Sequence, residues 1–71
     1  MAEVVEAEMV ANVLQVLVEV GDSVAAGDAL LLLESMKMEI PVLTEYGGRV
    51  SAVKIVVGDV VQTGDILVAI D

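Results

Sequence analysis

One short segment, residues 35–41, contains the side chain in this sequence that is best suited to covalent chemistry. The segment reads Ser-Met-Lys-Met-Glu-Ile-Pro, and its only lysine, Lys37, lies between Met36 and Met38. A lysine ε-amine is nucleophilic only after it loses a proton, and its ordinary pKa of about 10.4 keeps it protonated at neutral pH. The chain has no histidine to remove that proton. Acylation of Lys37 would therefore need a partner enzyme that supplies the base and an activated acyl group.

Composition argues against several other kinds of site. The chain has no cysteine, which excludes disulfides and thiolate metal sites, and it also lacks histidine, the commonest metal ligand. Its four Gly-Asp pairs do not have the spacing of an EF-hand or a P-loop, and we interpret them as turns. We expect no metal site. Because we also expect no sizeable pocket at this length, a small enzyme is the weakest functional hypothesis.

Charge and hydropathy restrict the kinds of partner and the cellular location that we expect for this protein. Twelve acidic and three basic residues give a net charge of −9, which argues against nucleic acid as a partner. Apolar runs reach only five residues, as in residues 29–33, far short of the roughly 20 that a membrane-spanning helix needs. The first residues are acidic and lack the order of a secretion signal. We predict a cytoplasmic protein without a membrane segment.

The sequence repeats itself once, at an offset of 37 residues. Residues 5–34 align with residues 42–71, and residues 35–41 connect the two copies. Two copies predict two similar halves related by an approximate two-fold axis, with the connector at one end of the molecule and the chain termini at the other. Eleven of the thirty aligned pairs are identical: Val5/Val42, Glu8/Glu45, Val13/Val50, Val16/Val53, Val20/Val57, Gly21/Gly58, Asp22/Asp59, Val24/Val61, Gly27/Gly64, Asp28/Asp65 and Leu30/Leu67.

Each half has the pattern of short strands separated by turns. Val16, Val18 and Val20 alternate with other residues, which is the period of a strand, and we expect all three to face the core. The second half repeats this pattern with Val53, Ile55 and Val57, which we also expect to face the core. Sixteen valines and four isoleucines favour strands throughout. The regular spacing of strands and Gly-Asp turns predicts a small all-β sandwich or barrel in a single domain.

The connector violates the turn chemistry expected of a tight hairpin. Such a turn prefers Asn-Gly or Asp-Gly at its centre, and this sequence has Met36-Lys37. Sites that break a local rule are where function should be sought. Structural explanations are also open, because the methionines could fill gaps in the core and Lys37 could protect an edge strand from aggregation.

The segment from Glu34 to Glu39, between two copies of Gly-Asp-x-Val-x-x-Gly-Asp, resembles the biotinyl domain of biotin-dependent carboxylases, the biotin carboxyl carrier domain. The two copies are residues 21–28 and 58–65, and the resemblance covers essentially the whole chain. It departs from the family pattern at Ser35, which is often alanine, and at Ala11, where glycine is common. These departures affect local geometry rather than the modified lysine.

The resemblance implies a flattened β-barrel or sandwich of two four-stranded antiparallel sheets with a pseudo-two-fold axis. It implies that a biotin protein ligase attaches biotin covalently to Lys37 on an exposed hairpin, and that Met36 and Met38 help to mark the site. The arm would then carry CO2 from a biotin carboxylase to a carboxyltransferase, and the domain itself would catalyse nothing. Glu34, Ser35 and Glu39 are candidate contacts for the ligase.

Two further hypotheses stay open at this point. A lipoyl domain has the same fold, although its lysine is usually flanked by aspartate and alanine rather than by methionines. An unmodified β-sandwich could instead serve as an assembly module. Whichever hypothesis holds, we expect the chain in isolation to be a monomer, since the fold closes its own core.

Overall fold

The computed structural model describes residues 3–71, which form eight β-strands and no helix. Met1 and Ala2, where the predicted domain and the acidic N-terminal sequence begin, lie outside the described residues. The strands are β1 (Glu3–Glu6), β2 (Ala11–Val16), β3 (Ser23–Val24), β4 (Ala29–Ser35), β5 (Met38–Leu43), β6 (Gly48–Val53), β7 (Val60–Val61) and β8 (Ile66–Ile70).

The strands form two four-stranded antiparallel sheets, which confirms the predicted all-β sandwich. One sheet has the order β1-β8-β6-β3 and contains the strands nearest both termini, and we call it the terminal sheet. The other has the order β5-β4-β2-β7, and we call it the hairpin sheet. The predicted barrel is not closed, because β1 and β5 remain edge strands without a partner strand on their outer side.

The two sheets repeat each other at the offset seen in the sequence. β2 and β6 correspond residue for residue, as do β3 and β7. The β2–β4 ladder has an irregularity between Val13 and Gln15, and the β6–β8 ladder has the same irregularity between Val50 and Ala52. Each sheet takes two strands from each half of the sequence, so the halves are interleaved rather than placed side by side.

The connector and the described chain ends lie at opposite ends of a molecule that measures 33 × 18 × 18 Å. The chain leaves the hairpin sheet at Leu43, the end of β5 farthest from the connector, and enters the terminal sheet at Gly48. There the backbone of Arg49 exchanges two hydrogen bonds with that of Asp71, at 2.8 and 3.0 Å. Glu3 pairs with Ile70 at the same end. This placement agrees with the two-fold axis predicted from the repeat.

Aliphatic side chains from both halves fill the space between the sheets. Burying one such side chain completely stabilises the fold by about 1.5–3 kcal/mol relative to leaving it in water. The buried apolar residues are Ala7, Ala11, Val13, Leu30, Leu31, Leu33, Val50, Ile55, Val61, Leu67, Val68 and Ile70.

The Gly-Asp pairs form turns, as predicted. In each turn the aspartate carboxylate accepts a hydrogen bond of 2.8–3.0 Å from the backbone N–H three residues earlier. The preceding glycine has a φ between 92° and 98°, a left-handed conformation that glycine adopts without a steric penalty. These turns also correct one prediction, because Val20 and Val57 precede a turn glycine and are exposed rather than core-facing.

Candidate functional site

The connector forms a two-residue β-turn at the outer end of the hairpin between β4 and β5. Ser35 pairs with Met38 and Glu34 with Glu39, which leaves Met36 and Lys37 as the loop. Both loop residues have positive φ values, 53° and 65°. This is the type I′ geometry that matches the twist of a hairpin and normally selects Asn-Gly. The structure thus confirms that the connector is a tight turn built from unfavourable residues.

Met36 and Lys37 occupy a backbone conformation that costs an L-residue other than glycine about 1–2 kcal/mol each. The strand pairing next to the turn holds it in this conformation, since six residue pairs join β4 to β5. β4 is also an interior strand held by β2 on its other side, and Leu33, three residues before the turn, is buried. The turn therefore stands on a rigid base anchored in the core.

All three side chains of the Met-Lys-Met sequence project into solvent. Met36 is 92% exposed and Met38 is 64% exposed, so neither fills a gap in the core. Lys37 is exposed and lies in the turn rather than in an edge strand. The side-chain hydrogen bonds found among residues 3–71 all lie in other turns. The ε-amine of Lys37 is accessible to an enzyme that approaches from the end of the molecule.

Two carboxylates lie directly below the turn on the outer face of the hairpin sheet. Glu34 and Glu39 are cross-strand partners, and their side chains point to the same face. Like charges placed directly opposite each other destabilise a strand pair. Ser35 is half-buried in the row above them. The structure therefore brings all six predicted site residues, Glu34 to Glu39, together in one hairpin end.

Sequence reasoning missed an open groove between the edge strands β1 and β5. Its volume is about 790 Å³, which corrects the expectation that a chain of this length has no sizeable pocket. Its lining includes four glutamates, Glu3, Glu6, Glu8 and Glu45, but not Lys37. The groove arises because the two edge strands do not pair with each other, and the strand pattern alone could not reveal which edges meet.

Residues 3–71 contain no group of three or more acidic, histidine or cysteine side chains arranged to hold a metal ion. Over the same residues, no helix is long and apolar enough to cross a membrane.

Comparison with known proteins agrees with the geometry of the hairpin. Residues 1–70 match the model of the family described as "Biotin-requiring enzyme". A "Biotinylated protein TB7.3 homolog" of Mycobacterium leprae is 59% identical over 70 residues, which cover 99% of both chains. The "Biotin carboxyl carrier protein" of Streptococcus mutans is 41% identical over 69 residues, which cover 97% of this chain and 53% of the relative.

Among solved structures, the Kluyveromyces lactis urea carboxylase contains a similar unit. It superposes with a TM-score of 0.93 at 32% sequence identity, and the match covers all of this chain and 6% of the carboxylase. The likeness therefore extends to the whole fold but to only a small part of that larger protein.

Proposed function

Since the chain belongs to the family described as biotin-requiring enzyme, we propose that it is a biotin carboxyl carrier domain and that biotin is attached to Lys37. The observation that carries this proposal is the two-residue turn, which holds Lys37 at the outer end of a rigid hairpin. The proposed domain comprises residues 1–71, with half-repeats 5–34 and 42–71 and the connector 35–41.

The attachment step is an acyl transfer to the ε-amine of Lys37. The amine loses a proton to a base of the ligase and attacks the carboxyl carbon of biotinyl adenylate. An amide bond forms, the acyl phosphate bond breaks, and AMP leaves with the electron pair. The carrier contributes geometry rather than catalysis, because the fixed turn presents the amine in one place.

The flanking residues have proposed roles in recognition. Met36 and Met38 offer two exposed, flexible thioethers, which adapt to an apolar pocket of a partner. Glu34, Ser35 and Glu39 would contact the ligase next to them, and the carboxylates would pair with its cations. Met36 is 92% exposed and has a positive φ, so its side chain makes little contact that could stabilise the isolated domain, which supports a role in binding.

Once modified, Lys37 would serve as a flexible tether between two active sites. Biotin supplies a ring nitrogen that can hold a carboxyl group. The extended arm would span on the order of 14 Å, judged from ordinary bond lengths. Tethering keeps the reactive end at high local concentration near both a biotin carboxylase and a carboxyltransferase. The domain is proposed to act as a non-catalytic, monomeric, cytoplasmic carrier for these two enzymes.

Intact mass spectrometry tests the proposal directly. The chain is co-expressed with a biotin protein ligase and free biotin, and Lys37→Arg serves as the matched control. We expect the wild type to gain one biotinyl group and the arginine variant to gain none, although Lys54 remains available in both. Modification of the Lys37→Arg variant would contradict the assignment of the site.

The same assay separates the remaining hypotheses. A folded wild-type chain that stays unmodified would overturn the biotin carrier proposal. Addition of a lipoyl group by a lipoate ligase would then identify a lipoyl domain. Failure with both ligases would leave an unmodified assembly module as the explanation.

A further inference from the structure

The outer face of the hairpin sheet, which extends away from the proposed attachment site, carries large aliphatic side chains. We call this surface the hairpin face and define it by Leu32, Leu43 and Val60. Leu32 lies between the exposed residues Pro41 and Gln15 in the ladders, so it points outward. Leu43 is 52% exposed and Val60 is 64% exposed.

The pseudo-symmetry supplies an internal comparison for this face. At the offset of 37 residues, the terminal sheet has Ala69 in place of Leu32, Glu6 in place of Leu43 and Ser23 in place of Val60. The terminal sheet is therefore built with small or charged residues at the three equivalent positions. Folding alone does not require aliphatic side chains there.

Strands β2, β4, β5 and β7 place carboxylates on the hairpin face but contain no lysine or arginine. Glu34 and Glu39 lie side by side in the row that continues through Asn12 to Val60. The chain has only two cations besides Lys37. Arg49 lies within β6 of the terminal sheet, and Lys54 follows the end of that strand. A partner that covers the hairpin face must bring its own lysine or arginine side chains to these carboxylates.

The short reach of an unmodified lysine favours the ligase, rather than the two enzymes that act later, as the partner that binds the hairpin face. Leu32 precedes Met36 by four residues, or about 14 Å along the strand, and Val60 lies two strands from Glu34, or about 10 Å across the sheet. An unmodified lysine reaches only about 6 Å from its Cα atom. An enzyme that acylates Lys37 must come that close to the turn, whereas an enzyme that uses the finished arm can stay farther away.

We propose that the hairpin face is the docking surface for the ligase that acylates Lys37, which meets it with an aliphatic patch flanked by basic side chains. This inference rests on the proposed function. It assigns Leu32 and Val60 as specificity-determining residues that lie outside the Met-Lys-Met sequence.

The test compares two chemically equivalent double variants on opposite faces. Leu32→Ala/Val60→Ser gives the hairpin face the residues of its symmetry mates, without a change of charge. The control, Ile66→Ala/Val4→Ser, makes the same kinds of change at residues of the terminal sheet that are 44% and 43% exposed. Initial rates of biotinylation are measured against carrier concentration with a biotin protein ligase, biotin and ATP.

We expect the hairpin-face variant to show about a tenfold rise in KM, the size of effect that follows when central apolar contacts are lost. The control should stay within about twofold of the wild type. The KM of the wild type should also rise with salt, and Glu39→Gln should reduce that dependence. Equal KM values for the two folded double variants would overturn the inference.

A single variant and the wild-type chain distinguish failure of the docking surface from failure of the proposed function. Val60→Ser alone changes one highly exposed side chain and replaces the double variant if the latter fails to fold. We expect about a threefold rise in KM for this single change, and an unchanged KM would overturn the inference. A wild-type chain that never gains biotin would contradict the proposed function itself, whereas a modified wild type with unaffected variants contradicts only the docking surface.

Discussion

At the scale of single residues, the turn of the candidate site has a backbone conformation that its two residues, Met36 and Lys37, disfavour. Met36 and Lys37 adopt positive φ values because the Ser35–Met38 pair leaves two residues to reverse the chain. Asn-Gly would fit the same turn with less strain. This conflict between turn geometry and residue type was predicted from the sequence, because the turn has Met-Lys where a tight hairpin prefers Asn-Gly. The exposure of Met36 and Met38 was not predictable from residue type, because methionine fills cores as readily as it meets partners.

The strain in the turn gives a prediction about stability. Met36→Asn/Lys37→Gly should raise the free energy of unfolding by about 1–2 kcal/mol, because both new residues accept the left-handed conformation. Urea unfolding followed by circular dichroism measures the change. Met38→Leu, in the adjoining strand, should stay within about 0.5 kcal/mol of the wild type. An Asn-Gly variant no more stable than the wild type would show that the turn is not strained.

At the scale of strands and turns, the repeat was the most informative signal in the sequence. It predicted the strands and placed the four Gly-Asp turns correctly. It failed at Val20 and Val57, where a period of two was extended one step too far, into the turn that follows. It also could not reveal the interleaving of strands, because two equivalent halves produce the same sequence pattern whether they exchange strands or not.

Gly48 illustrates a requirement that the repeat hides, since its symmetry mate is Ala11. A Cβ atom on Gly48 would overlap the backbone oxygen of Asp71 and lie 2.9 Å from Cγ2 of Ile70. Its φ of 154° also disfavours other residues. Only the pairing of β6 with the C-terminal end of the chain creates this constraint, so it becomes visible in the three-dimensional structure alone.

Gly48→Ala should therefore lower the free energy of unfolding by at least about 2 kcal/mol, because the backbone pairing between Arg49 and Asp71 must shift. Gly47→Ala is the matched control, as its added Cβ would meet no atom closer than 3.6 Å. Thermal unfolding of the two variants makes the comparison. Equal melting temperatures would contradict the close approach at Gly48.

At the scale of the whole molecule, interleaving makes the two halves dependent on each other. Each sheet is completed by strands from the other half, and the 37-residue repeat does not correspond to two independent folding units. The described ends of the chain lie in adjacent paired strands, where Glu3 faces Ile70. This site is the symmetry equivalent of the hairpin that carries Lys37, with an open chain in place of a turn.

This arrangement predicts the behaviour of a circular permutant. A short glycine-containing linker joins residue 71 to residue 1, and the chain is opened between Met36 and Lys37, so that all strand pairs are kept. We expect it to fold with a stability within about 2 kcal/mol of the wild type, because one closed turn replaces another. The two fragments cut at the same place but not joined should each remain unfolded, since each lacks half of every sheet.

The permutant also separates the sequence around Lys37 from the conformation that holds it. The lysine and most of its neighbours are retained, but the lysine now begins a frayed β5 instead of occupying a fixed turn. Because a catalytic geometry tolerates little misplacement, we expect biotinylation of Lys37 to slow by about a hundredfold, as measured by intact mass over time and by tryptic mapping. Modification at the wild-type rate would mean that a ligase recognises the sequence around Lys37 and not the conformation of the turn. The strain at Met36 and Lys37 would then have no role in presenting the amine.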